Sequence, residues 1–302
     1  MTLDVVGFGA LNLDKLYTVN TLAKRGEERI IRGCVEEAGG SAANTIVGLV
    51  RLGHEVGYVG KVGNDREGEF LLNSFKDEEV DSKGITVSTK GRSGVVLGFV
   101  DAAGERTLYV DPGVNDTLGL EDVDLGYVNS VKFLHLTSFV GKKPFEAQKR
   151  LLRNLLDVRV SFDPGELYAR KGLTALRPIL EHSYIAFPNE KELRFITGKG
   201  YVDGARVLID EGVHIVAVKL GENGCYITNG EKELLVKAFN VKVVDATGAG
   251  DAFCAGFLHG LLLDKDLYAC GKLANFVASR KVGRRGAREG LPRLSELEKL
   301  NL

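Results

Sequence analysis

Residues 245–251 read Asp-Ala-Thr-Gly-Ala-Gly-Asp and lead directly into an apolar stretch, AFCAGFLHGLLL. A helix start needs only a capping side chain and good helix formers, so two glycines and a carboxylate here call for another reason. Gly248 and Gly250 allow a tight turn, after which the amides of Gly248, Ala249 and Gly250 converge where the dipole of a helix over 249–263 favours negative charge. Asp251, in the first turn, can reach the same spot as a general base. An anion cradle beside a base suits transfer of a phosphoryl group to a hydroxyl. The plainer reading is a helix packed closely on a strand with Asp251 as a capping carboxylate, and the spacing alone leaves both open.

Other nucleotide templates fail. GFGALN (7–12) has Gly7 and Gly9 after an apolar run, but Asn12 replaces the third glycine of the dinucleotide fingerprint, which disfavours a nicotinamide cofactor. No Gly-Lys pair is followed by Ser or Thr, so there is no Walker A loop, and the protein-kinase DFG and HRD signatures are missing. The five histidines show no metal-ligand spacing.

The elements that must position this loop follow from periodicity. LDVVGFG (3–9), 131–136, 158–163, 184–187 and 214–220 read as buried strands, alternating with helical segments at 144–156, 172–182, 189–197 and 202–211; 41–53 is a further helix. Repeated strand and crossover helix predict an α/β fold with a Rossmann-like, mostly parallel sheet flanked by helices. Residues 13–38 and 93–111 break the rhythm with alternating strands, one pair joined by a turn at AAGE, and predict a small antiparallel sheet acting as a lid. The expected body is 1–12, 39–92 and 112–302. The open edges of the lid strands could pair across a homodimer.

The 302 residues are 44% hydrophobic with a net charge of −1, so no field of one sign recruits nucleic acid or an anionic membrane. Four scattered cysteines suit a reduced compartment. With no leader pattern and no apolar run of membrane-spanning length, a soluble cytoplasmic protein is expected.

The pairing of GGSAANTIVGLVRLG (39–53) with DATGAGDAFCAGFL (245–258), with GALNLD, VGNDREGEF, PGVND, PNEKELRFITG, VKLGENGCYI and KVGRRGA in order between and around them, resembles the ribokinase-like, or PfkB, family of sugar and nucleoside kinases. The resemblance implies ATP and Mg²⁺, with potassium as a further candidate, and assigns roles by position. Asp251 becomes the base, with the amides of Gly248, Ala249 and Gly250 as the anion hole. Asn12, Asp14, Gly40 and Asn44 would meet sugar hydroxyls. Asn189 and Glu192 would hold hydrated magnesium and phosphates, Lys219, Gly221 and Gly224 the nucleotide, and Asn275 and Gly286 would flank adenine. Asp245 and Thr247 match a monovalent-cation loop. Each has a plainer reading: a turn at Asn12 and Asp14, a side-chain bond to the backbone at Asn44, a capping box at Asn189 and Glu192, a hairpin at GENG. Where the family often carries an acidic residue after strand 131–136, this chain has Thr137 and Ser138, which makes ribose less secure as substrate. Fructose or a keto-deoxy sugar acid stays open, as do a nucleoside kinase and a non-catalytic sugar or nucleotide sensor.

Overall fold

The computed structural model describes residues 3–297. Its strands in chain order are β1 (Val5–Phe8), β2 (Asn12–Val19), β3 (Ile31–Gly39), β4 (Val56–Gly63), β5 (Asp81–Ser88), β6 (Gly94–Val100), β7 (Arg106–Asp111), β8 (Phe133–Thr137), β9 (Arg159–Asp163), β10 (Ser183–Ala186), β11 (Ile215–Lys219), β12 (Cys225–Thr228) and β13 (Glu233–Val236). Nine of them form one sheet in the order β13-β12-β11-β10-β9-β8-β1-β4-β5. From β11 to β5 every pairing is parallel; β12 and β13 extend one edge antiparallel. Helices cover both faces, and two apolar clusters, one around Ile46, Tyr58 and Phe257, the other around Phe8, Leu136 and Phe162, bury the strands from either side.

Strand order reverses at β1, which has β4 on one side and β8 on the other. Such reversals open a crevice beyond the carboxyl ends of the strands. Asp163 and Lys219 are the last residues of β9 and β11, so two charged groups are delivered to that rim.

The second sheet has the order β3-β2-β6-β7. It is mixed, not antiparallel as the alternation predicts: β2 and β3 form one hairpin, β6 and β7 another, and the two lie side by side through parallel β2 and β6. Both hairpins leave the body in the same direction, so their first strands must run parallel. β2 begins at Asn12, which puts Asn12 and Asp14 on a strand of the small sheet and not in a turn after β1. The roots of both hairpins are clamped by side chains. Asn115 receives the Leu11 amide (3.0 Å) and donates to the Leu11 carbonyl (2.7 Å), while Asp65 receives both the Ser93 amide (2.7 Å) and hydroxyl (2.6 Å) just before β6.

Helix Ala249–Leu262 is buried along nearly its whole length and packs on helix Leu267–Lys281. The rings of Phe187 and Phe253 stand 5.4 and 6.1 Å from that of Phe257, which is fully buried. Phe257→Ala is expected to cost about 3–5 kcal/mol, read from the midpoint of urea unfolding.

Candidate active site

Gly248 has φ +75, and a Cβ there would stand 2.7 Å from the Ala287 carbonyl oxygen, so glycine is required for both conformation and space. Helical bonding begins with the Ala252 amide donating to the Gly248 carbonyl at 2.9 Å. The Ala249 amide donates to the Ala246 carbonyl (3.1 Å), which turns it away from the expected anion hole. The Lys219 ammonium lies against the same helix start, 3.3 Å from where a Cβ on Gly250 would be.

Asp251 stands half-buried in the cleft wall with both oxygens engaged. Ser41 Oγ donates to Oδ1 at 2.6 Å and Asn44 Nδ2 to Oδ2 at 2.9 Å. Burial raises the affinity of this carboxylate for a proton, and the two donors oppose that rise without cancelling it. Asn44 is therefore committed at both ends: Arg288 Nε donates to its Oδ1 at 2.9 Å. A guanidinium only donates, so it fixes the amide with its NH₂ toward Asp251. The resemblance assigns Asn44 to the sugar; here it positions the carboxylate. Gly40, at the cap of helix Ser41–Arg51, has φ +111 and passes the Ala10 carbonyl so closely that a Cβ would lie 2.2 Å from its oxygen.

Asn12 and Asp14 alternate onto one face of β2, as residues two apart on a strand must. Asn12 Oδ1 accepts from Asn115 at 3.1 Å. The Asp14 carboxyl is pushed up to about 7, chiefly by burial, with Glu37 and Asp251 adding to the rise and Arg288 opposing it. The charges of Asp14 and Asp251 thus act on each other, so the small sheet's polar face lies close to Asp251.

A cavity of about 550 Å³ runs in front of Asp251. Its polar wall includes Ser41, Asp163, Asn189, Glu192, Lys219 and Gly250, and its apolar wall includes Phe239, Val241, Val243, Ala278 and Val282. Gly221 and Gly224 line it from the turn between β11 and β12, so the GENG segment is both a hairpin and a cavity wall. Asn189 and Glu192 form the reciprocal capping box of helix Glu190–Thr197, at 2.8 Å each way, and line the cavity as well. Glu192 is raised by burial, with Lys219 opposing and Asp163 adding. Lys219 Nζ meets Asp163 Oδ2 at 2.6 Å; burial disfavours its charge, but Asp163, Cys254 and Glu192 hold it above the usual lysine range. Asn275 lines the cavity with its amide spent on the Val236 and Lys237 carbonyls (3.0 and 3.2 Å). Gly286 is not part of the cavity wall; its amide donates to Asp245 Oδ2 at 3.0 Å. Asp245 Oδ1 accepts from the Thr247 amide (2.9 Å) and hydroxyl (2.7 Å), and the Asp245 carbonyl accepts from Lys281 Nζ at 2.9 Å.

Four residues of this arrangement escaped the sequence reading. Asp163 had a usable signal, a carboxylate at the end of a predicted parallel strand. Ser41 stands beside the assigned Gly40. Arg288 and Lys281 lie in KVGRRGARE, which has no periodicity to read.

The pfkB family carbohydrate kinase model matches residues 3–294, and the chain belongs to that family. It is 46% identical over 250 residues to a sugar kinase of uncharacterised activity from Archaeoglobus fulgidus, covering 82% of this chain and 99% of the relative. An ATP-dependent ribose-1-phosphate kinase from Halopiger xanaduensis is 32% identical over 285 residues, covering 94% and 93%. An E. coli protein described as a ribokinase II, solved with ATP and Mg²⁺, superposes with a TM-score of 0.85 at 25% identity over 99% of both chains.

The raised Asp14 carboxyl sets a direction for stability. Between its unfolded value and about 7 the folded state holds more protons than the unfolded one, so stability from this group is lost as pH rises through that window. Urea unfolding from pH 5 to 8 is expected to show Asp14→Asn gaining on the wild type as pH rises; parallel curves would refute this.

Proposed function

We propose that the chain is an ATP-dependent kinase that transfers the γ-phosphoryl group to a hydroxyl of a small sugar. The carrying observation is Asp251, its proton affinity raised by burial and its carboxylate aimed by Ser41 and Asn44 at the start of a glycine-turned helix, facing a cavity that contains a lysine. In this reading Asp251 accepts the hydroxyl proton. Lys219, steadied by Asp163, and the Gly248 and Gly250 amides at the helix start balance negative charge on the phosphoryl oxygens. The apolar wall of Phe239, Val241 and Val243 suits a nucleotide base.

Among the described residues no cluster of three carboxylate, histidine or cysteine ligands exists. Magnesium keeps most of its waters and binds through one or two carboxylates and the substrate's phosphates. Glu192 at the cavity wall would hold it, and when bound the ion neutralises phosphate charge.

Asn12 and Asp14 carry the sugar on the small sheet, and segments 13–38 and 93–111 act as the lid that excludes water. The named sugar kinases among the relatives favour a sugar over a nucleoside. A binding sensor would have no use for a base at Asp251. No helix of the described residues is long and apolar enough to cross a membrane. The small sheet exposes Ile31, Val35, Leu108 and Tyr109, which suits pairing with a second copy.

An ADP-release screen across ribose, fructose, 2-keto-3-deoxygluconate, phosphosugars and nucleosides tests the reading. Turnover is expected with a sugar or phosphosugar, and none with any acceptor would favour the sensor. Asp251→Asn should lower turnover about a hundredfold or more with nucleotide binding kept. Light scattering should give a dimer that Tyr109→Glu weakens; a wild-type monomer removes the pairing.

A further inference from the structure

Lys281 ends helix Leu267–Lys281, and its side chain is fully buried. A buried ammonium ordinarily stands against a carboxylate, because leaving it unpaired away from water costs several kcal/mol. Among the described residues this one makes no such ion pair. Its Nζ reaches two main-chain carbonyls instead, Asp245 at 2.9 Å and Arg284 at 3.4 Å. Around it the chain is tightly drawn together. The Val244 and Asp245 amides both donate to the Val282 carbonyl (2.8 and 3.1 Å), and the Asp245 carboxylate gathers Thr247 and Gly286.

Burial weakens the hold of Lys281 on its proton, and the more distant carboxylates of Asp245, Glu37 and Asp251 oppose that loss; its direct partners are main-chain carbonyls, the chemistry of a monovalent-cation site, where carbonyl oxygens replace the ion's water shell. The cation expected at Asp245 and Thr247 does not fit beside it. The Asp245 carbonyl already faces one positive charge, which repels a second, and the Thr247 hydroxyl donates to Asp245 and accepts from the cationic Arg106 Nη1 at 2.6 Å. An ammonium group has the charge of potassium and nearly its size.

We propose that Lys281 is a tethered substitute for potassium: a positioning residue whose ammonium holds the 245–247 loop, and through it the turn at Gly248–Asp251, so that the chain needs no monovalent metal ion. The proposal rests on the kinase reading for its activity readout only. Thr247 lies four residues before Asp251, so displacement of the loop would be felt as misplacement of the base and the anion hole.

The test compares wild type and Lys281→Met in potassium chloride and in tetramethylammonium chloride at matched ionic strength, about 0.1 M. Wild-type turnover and melting temperature are expected to be the same in both salts. Lys281→Met is expected to lose turnover about tenfold or more without potassium and to regain much of it with potassium, with a matching rise in melting temperature. Potassium activating the wild type or raising its melting temperature overturns the proposal, as does a Lys281→Met protein that is fully active without potassium. If Lys281→Met does not fold, the wild-type comparison still decides. If no sugar is phosphorylated, the kinase reading fails, while the melting curves still test the tethered cation.

Discussion

The structure turns on holding one carboxylate partly out of water without letting it go idle. Asp251 sits where burial strengthens its hold on protons, and the two donors from Ser41 and Asn44 keep that hold from becoming permanent. Both donors come from the start of one helix, Ser41–Arg51, and the acceptor from the start of another, Ala249–Leu262. Two positive helix ends therefore meet at a single anionic group. The packing of these helices, and the glycine turns at Gly40 and Gly248 that begin them, serves this meeting.

A second charge relationship lies across the cavity. Lys219 and Asp163 come from the carboxyl ends of neighbouring parts of the same parallel sheet and pair at its rim, so the ammonium is fixed without being exposed. Because Asp163 also faces the Cys254 thiol (3.4 Å), helix Ala249–Leu262 and the sheet share one buried polar contact. The shape of the cavity and its charge therefore have the same structural origin.

Much of the architecture was legible because it rests on local pattern. Buried parallel strands such as β1 and β8 are continuous apolar runs, and the helices between them carry their period openly. β4 was harder: VGYVGKVG has three glycines, which weaken any strand signal, and its pairing is settled by neighbours. The direction of β6 relative to β2 depends on where two distant hairpins leave the body, and no window of sequence contains that. At the site, Asp251, Lys219 and Glu192 could be found by motif. Arg288 and Lys281 could not, since their roles come from reaching across to residues 244 and 36 positions away. The Asn44 amide shows the same limit: its residue type was readable, but which partner claims each end was not.

The clamped roots of the small sheet bear on how force travels through the molecule. With Leu11 pinned by Asn115 and Ser93 by Asp65, the two parallel strands emerge from rigid sockets, like planks bolted at one end. Bending is then concentrated in the free outer lengths of β2 and β6, beyond Asp14. A load on the sheet would then move its outer part before the inner segment that carries Asn12 and Asp14.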